Sequence, residues 1–260
     1  MCGDIEVCLF SVRGEFGHWR KWFTTTSALT FSFPPRTALI GMIGAVLGIE
    51  REDVPKVFPF HATHIAVCPV APIVKDRFPQ KWRKSPLSIK SGKVSPEKAD
   101  KTFQQNLEVV RRPCYMIAFS HKDNELMREL CRRLEERRWF YPPFLGIMGF
   151  LADLQWHGFD VAMERRVHDA EIRSVLPLDE TLSKEVDLSE SWGIIREERI
   201  PLDVLRGRSF RHLYLAYVSR DAKPMKLKSQ KGVRLFRLRH QGDFIAFFEQ
   251  CQPCGSTATQ

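Results

Sequence analysis

Between Arg13 and Phe33 the chain reads RGEFGHWRKWFTTTSALTFSF, which sets His18, Arg20 and Lys21 among Phe16, Trp19, Trp22 and Phe23 ahead of a threonine run. Cations follow phosphates and ring faces stack on unpaired bases, so this mixture suits single-stranded nucleic acid. The threonine hydroxyls, Thr25 among them, add further phosphate contacts. Two readings of the four rings stay open: a stacking surface, or core folded beneath the loop. Arg36 and Thr37 follow Pro34-Pro35 in the first turn of a predicted helix, where free N–H groups and the helix dipole attract an anion. The alternative there is an ordinary solvated helix end. A third group lies in residues 75–112: Trp82 flanked by Lys81, Arg83 and Lys84, then Gln104, Gln105 and Arg111. Glutamine amides both donate and accept hydrogen bonds toward base edges. The competing reading is a solvated loop.

Catalytic groups do not stand out in the same way. No nucleophile–base pair, carboxylate pair or metal triad can be assembled from the spacings. His121 and Lys122 adjoin, and a metal-independent ribonuclease could use such a pair as base and phosphorane stabiliser, but they fall where a strand gives way to a helix and also read as a solvated turn. His18 sits beside Arg20 and Lys21, whose charges would lower its pKa and make it an acceptable base. His61 with His64, and His157, lack companions for a metal. The seven cysteines are odd in number and scattered, which reads as reduced thiols, and the one C-x-x-C pair, Cys251 with Cys254, lacks the second pair a zinc site needs. The expectation is no catalytic residue, no metal and no cofactor.

The composition agrees with a polyanionic partner. Forty basic side chains face 31 acidic ones in 260 residues, a formal charge of +9. The first residues lack a basic stretch ahead of an apolar core, and the longest apolar run, Ala38–Ile49, falls short of the ~20 residues a spanning helix needs. A cytoplasmic protein without membrane contact is expected.

These groups need elements to hold them. Ile5 to Val12 predicts a first strand ending at Gly14. The proline pair predicts a helix start, with Leu39, Ile43, Val46 and Leu47 at helical spacing up to a cap at Gly48. Gly41 and Gly44 weaken that helix, which predicts a close approach to a sheet. Strands are expected across His64–Val74 and Cys114–Phe119, then an amphipathic helix on Leu126, Leu130 and Leu134, then a strand over Phe150–Val161 kinked near Gly158. Residues 75–112 are too polar to form a core of their own. Beyond Glu171, strand-like pieces at Ile172–Leu176, Gly193–Ile200, His212–Val218 and Val233–Phe248 predict a small β-rich part, the last piece turning around Gln241-Gly242-Asp243. Strand, helix, strand, strand, helix, strand is the ferredoxin-like order, shared with RNA-recognition (RRM-like) domains. The fold class expected is therefore α+β, with a ferredoxin-like RNA-binding domain over 1–165, an insertion at about 75–112, and a β-rich C-terminal region over 166–260.

The run TTTSALTFSFPPRTALIGMIGAVLGIER resembles the amino-terminal signature of the CRISPR-associated Cas-five family, particularly its subtype I-B members. TFQQNLEVVRRPCYMIAF, YPPFLGIMGFLADL, and REERIPLDVL followed by HLYLAYV extend the resemblance over nearly the whole chain. The resemblance implies a ferredoxin-like domain of the RAMP superfamily whose 75–112 insertion is a β-hairpin thumb. It further implies a non-catalytic subunit of an antiviral type I Cascade ribonucleoprotein, holding the 5′ handle of the CRISPR RNA beside the large subunit and the backbone subunit and meeting target DNA through the complex. On that pattern Arg13, His18, Arg20, Lys21, Thr25, Arg36 and Thr37 face the handle. The family's precursor-cleaving members use a tyrosine, lysine and histidine arrangement that has no counterpart assignable in this sequence, so the endoribonuclease reading is the alternative.

Overall fold

A computed structural model describes residues 4–24, 27–83, 87–90, 93–96, 102–205 and 209–251, with backbone alone for 82–83, 87–90, 93–96 and 102–103. A near-continuous apolar run, Val7 to Val12 broken by Ser11, makes the first strand, β1 (Ile5–Arg13), bury both of its faces. After the two-residue β2 (Phe16–Gly17), Pro35 fixes an extended backbone ahead of α1 (Arg36–Leu47), and Gly48 ends that helix at φ 80°, where a side chain would be strained. A short helix, α2 (Val54–Val57), leads to β3 (Thr63–Pro69). Strands β4 (Val74–Arg83) and β7 (Thr102–Arg111) pair antiparallel and flank the small hairpin of β5 (Leu87–Lys90) and β6 (Lys93–Pro96). β8 (Cys114–His121) follows, then α3 (Asn124–Glu136), whose N-cap Asp123 accepts hydrogen bonds from the N–H groups of Glu125 and Leu126. The remaining strands are β9 (Asp153–Ile172), β10 (Leu176–Leu178), β11 (Val186–Asp187), β12 (Ile194–Val204), β13 (Phe210–Ser219), β14 (Met225–Leu238) and β15 (Phe244–Ile245).

The fold is α+β, built on a seven-stranded mixed sheet in the order β11-β14-β15-β9-β1-β8-β3. Its centre, β9-β1-β8-β3, is antiparallel throughout. One face, with Cys8, Phe10, Val12, Ile65, Val67, Ile117 and Phe119, packs under α1 and α3 through Leu39, Ile43, Val46, Met127, Leu130 and Leu134. Complete burial of a residue such as Leu130 contributes roughly 1.5–3 kcal/mol. The other face, with Val7, Leu9, Ala66 and Ala118, lies under Phe236, Ile245 and Phe247 from the last part of the chain. A separate sheet, β10-β13-β12, joins the first core through Ile200, Leu202, Leu213, Ala216 and Val218.

Several sequence expectations change in detail. The strand expected over His64–Val74 is two strands, because prolines 69 and 72 remove ladder donors between them. The boundary expected between residues 165 and 166 falls inside β9, whose second half pairs with β14 from Met163↔Arg237 to Ile172↔Met225. Gly44 does approach a neighbour closely, but that neighbour is α2: a Cβ there would sit 3.0 Å from Val54, while one at Gly41 would meet open space. The insertion is not devoid of core, since Leu107 and Val109 are buried with Ala28 against Phe16, Phe78 and Phe150. Period-two alternation dilutes that apolar face among polar neighbours, which hides it from a simple count. The kink near Gly158 is present as a register shift at φ 103°.

Candidate nucleic-acid interface

The ribbon of β4 and β7 has two chemically distinct faces. Its register sets Lys75, Arg77, Pro79 and Lys81 opposite Val110, Glu108, Asn106 and Gln104 on one face, and Phe78 opposite Leu107 on the other. Lys81, Gln104 and Asn106 are exposed. The segment from His18 to Phe31 crosses the base of this ribbon as a narrow hairpin, with Arg20 bridging Thr30 and Ala28 bridging Leu107. The neighbouring loop closes on it so tightly that a Cβ at Gly146, φ 86°, would overlap the His18 carbonyl oxygen.

Two buried carboxylates tie these pieces together. Glu197 of β12, 1% exposed, takes Lys21 Nζ at 2.5 Å, Lys75 Nζ at 3.3 Å and the Ser32 N–H at 3.0 Å. Glu108 takes Arg77 at 2.8 Å, the Thr30 N–H at 3.3 Å and Lys75 at 3.7 Å. Lys75 thus sits between the two, linking ribbon, hairpin and β12. Burial pushes the Glu108 carboxyl up, but Arg77's hydrogen bond, the Lys75 charge and the Thr30 N–H outweigh it and hold its pKa below the ordinary carboxylate value. Lys75 is held below the usual amine value by burial, against the pull of Glu197.

The residues picked from sequence divide accordingly. Arg13 is exposed but paired with Asp153 at 2.7 Å, and Lys21 is held by Glu197. Arg20 is exposed and donates to the Thr24 carbonyl at 3.2 Å. Lys81 and Gln104 meet as a ladder pair, whereas Gln105 falls on the opposite face, paired with Gln80. Arg111 is exposed, 3.9 Å from Asp76. Trp82 and Arg83 are described as backbone, opposite Phe103 and Thr102. Thr25, Lys84 and Cys254 lie outside the described residues. Thr37 is half-buried.

Two of the residues expected to face the handle are buried. Arg36 has no exposed surface: its guanidinium lies against Glu249 and 3.4 Å from Asp203, and donates to the carbonyls of Phe58 and Leu202. Those acids supply the negative charge that the start of α1 favours, so no outside anion is needed there. His18, 5% exposed, donates from Nδ1 to the Glu108 carbonyl at 2.7 Å, because a carbonyl only accepts. Burial, more than Arg20, lowers its pKa. It is a brace between hairpin and ribbon.

The two readings of the aromatic loop both hold, ring by ring. Trp19 is buried against Tyr115 and Phe16 is half-buried against Phe78 and Phe150, whereas Trp22 and Phe23 stay 51% and 47% exposed. Trp22 leans on His212 of β13 with ring centroids 5.1 Å apart, and its Nε1 donates to the Arg199 carbonyl at 3.2 Å. Sequence reading missed His212, Arg199, Glu108 and Glu197. Nothing within REERIPLDVL distinguishes the buried Glu197 from its exposed neighbour Glu198.

His121 has both ring nitrogens engaged. The Asp123 N–H donates to Nδ1 at 3.0 Å, so the proton is on Nε2, which donates to the Val57 carbonyl at 2.9 Å. No lone pair is left to act as a base in this arrangement. Cys251 is buried with its thiol on the Pro177 carbonyl, and burial pushes its pKa up to about 12. Among the described residues no three His, Cys, Asp or Glu side chains gather as a metal site, and no helix is long and apolar enough to cross a membrane.

Residues 7–180 match the model of a family described as CRISPR-associated protein (Cas_Cas5), a match over most of the chain. The chain belongs to this CRISPR-associated family. A CRISPR protein from Archaeoglobus fulgidus aligns with a TM-score of 0.53 at 11% identity, over 93% of this chain and 98% of that one, and so shares the fold of this Cas_Cas5 protein. A chain of a CRISPR RNA-guided surveillance complex aligns at a TM-score of 0.48 and 14% identity, over 90% and 92%. A chain of a type III-B Cmr-beta complex aligns at 0.47 and 11%, over 84% and 86%. No curated protein sequence matches this one.

Proposed function

We propose that the protein is a non-catalytic subunit of a CRISPR effector complex, one that holds the 5′ handle of the guide RNA and caps the assembly beside its backbone and large subunits. The observation that carries this reading is the polar face of the β4–β7 ribbon, where Lys81, Gln104 and Asn106 stay open to solvent while the opposite face is anchored in apolar contacts. A cation beside amides that donate and accept is what backbone contact with some base reading requires. We read the ribbon as the family's thumb. The order β9-β1-β8-β3 beneath two helices supports a ferredoxin-like, RAMP-type domain as its support. Arg20, Lys81 and Gln104 are the handle contacts on this reading, with Trp82, Arg83, Lys84 and Thr25 at its outer reach; Arg111, which the register puts on the Phe78 face, is not among them. Target DNA is met through the complex, and a type I-B system is the assignment the sequence favours.

The test is incubation of purified protein with CRISPR repeat RNA in EDTA, followed on native and denaturing gels. A mobility shift with intact RNA is expected. Cleaved RNA would transfer the assignment to a metal-independent endoribonuclease, and absence of any shift would remove RNA binding by the isolated subunit.

A further inference from the structure

The exposed end of the hairpin has a feature that the ribbon does not explain. A tryptophan half open to solvent normally turns freely, but Trp22 is oriented at three points: its N–H is tied to the Arg199 carbonyl, its face leans on His212 at an interplanar angle of 40°, and Phe23 meets it edge-on at 5.7 Å. On β13, Phe210, His212 and Tyr214 occupy alternate positions, and Phe210 and Tyr214 remain 46% and 38% exposed while Leu213 between them is fully buried. The ladder pairs Glu198 with Leu215 and Ile200 with Leu213 but skips Arg199, whose φ of 50° puts a non-glycine residue in the left-handed region. That distortion turns the Arg199 carbonyl toward Trp22. Burial first, and the Arg199 charge second, keep His212 below its usual pKa, which disfavours a charged ring beneath the indole.

We propose that Trp22, braced by His212 and Phe23, is a stacking platform for one unpaired base of a single-stranded RNA, with Arg20 and Arg199 placed for the phosphates on either side. Both arginines are exposed, and neither makes an ion pair with a carboxylate among the described residues. Open cations next to a fixed open ring fit a polyanion that carries flat bases better than they fit an apolar protein surface. The platform lies on the β12–β13 side of the hairpin, and Lys75, on the same ribbon face as Lys81 and Gln104, reaches Glu197 of β12 as well. The inference rests on the RNA-binding reading above and adds to it a site, a binding mode and a preference for unpaired RNA.

Titrations of repeat-derived single-stranded RNA and of its duplex, each over a range of salt, test the platform. Loss of a stacked base by Trp22→Ala is expected to weaken single-strand binding about 5- to 100-fold. Its salt slope should not change, because stacking releases no counterions, whereas Arg199→Ala should make the slope shallower. Trp22→Phe should fold, retain most of the affinity, and show a smaller RNA-dependent change in indole fluorescence than the wild type, the remainder coming from the other tryptophans. That last comparison decides the matter even where the alanine variant does not fold. Wild-type affinity in Trp22→Ala, an equal loss on duplex and single strand, or an undiminished fluorescence change in Trp22→Phe overturns the platform while leaving RNA binding in place. A Trp22→Ala protein that binds RNA normally but fails to assemble with its partner subunits assigns the surface to protein contact and overturns it too. Failure of the wild type to bind any RNA would instead defeat the functional reading.

Discussion

The base and the outer stretch of the β4–β7 ribbon carry similar side chains in sequence and different ones in function. Lys75 and Arg77 at the base meet Glu108 and Glu197, carboxylates with almost no exposure, and are held in place by them. Lys81, two pairs further out, faces Gln104 and open solvent. On this ribbon a basic residue is held in place where a buried acid meets it and stays open to solvent where none does. Net charge alone cannot distinguish the two, because both kinds contribute equally to it.

That contrast breaks most severely at Glu197. Glu197→Ala strands the Lys21 and Lys75 ammonium groups and the Ser32 donors around a hole, and removal of one partner of a buried ion pair costs about 3–5 kcal/mol. Chemical denaturation should register that loss, and a cost under ~1 kcal/mol would mean the base of the ribbon is no anchor.

A smaller effect follows from pH. The Glu108 carboxyl has a lowered pKa in the folded protein, so in acid the unfolded chain takes up its proton first. Its contribution is fully present above the ordinary value of 4.5 and is lost as pH falls below that, through the folded value. Wild type should therefore lose stability more steeply than Glu108→Gln across that acid range when melting temperature is followed against pH, and parallel profiles would deny the ion-pair account.

The smallest expected change in stability lies at the outer stretch. Lys81→Ala should leave unfolding free energy within about 0.5 kcal/mol of wild type, as an exposed change does. It should nevertheless make the salt dependence of RNA binding shallower by up to ~0.7 for one lost single-strand phosphate contact. An unaltered slope would take Lys81 out of the interface and move the whole comparison toward the Trp22 side.

Much of the scaffold was legible because its signals are local. The proline pair before α1, the left-handed cap at Gly48 and the four-residue leucine spacing of α3 are properties of single segments, and each element lies where those signals put it. The site was less legible because its meaning depends on partners far along the chain. Arg36 reads as an anion-binding helix start until Glu249 and Asp203 are known to be there, and the loop rings could be sorted into buried Trp19 and exposed Trp22 only once Tyr115 and His212 were in place. The domain division expected at residue 165 depends likewise on β14, whose pairing with β9 has no local signature.

The pair formed by Arg36 and Glu249 bears on synthesis. The two residues are 213 positions apart, and Glu249 also accepts the Ile65 N–H of β3 at 2.9 Å. A ribosome delivers α1, β3 and β8 long before it delivers Glu249, so through most of translation the nascent sheet and helices must accommodate a guanidinium whose principal counter-charge does not yet exist. Lengthening a loop adds little entropy, only about 0.6 kcal/mol per doubling, so the obstacle is timing and not distance. A lone buried charge is costly enough to keep the first turn of α1 hydrated until the final segment docks. Docking of the turn that carries Glu249 is therefore expected late in folding, and translation products that lack it should be held open at the same helix that begins the core.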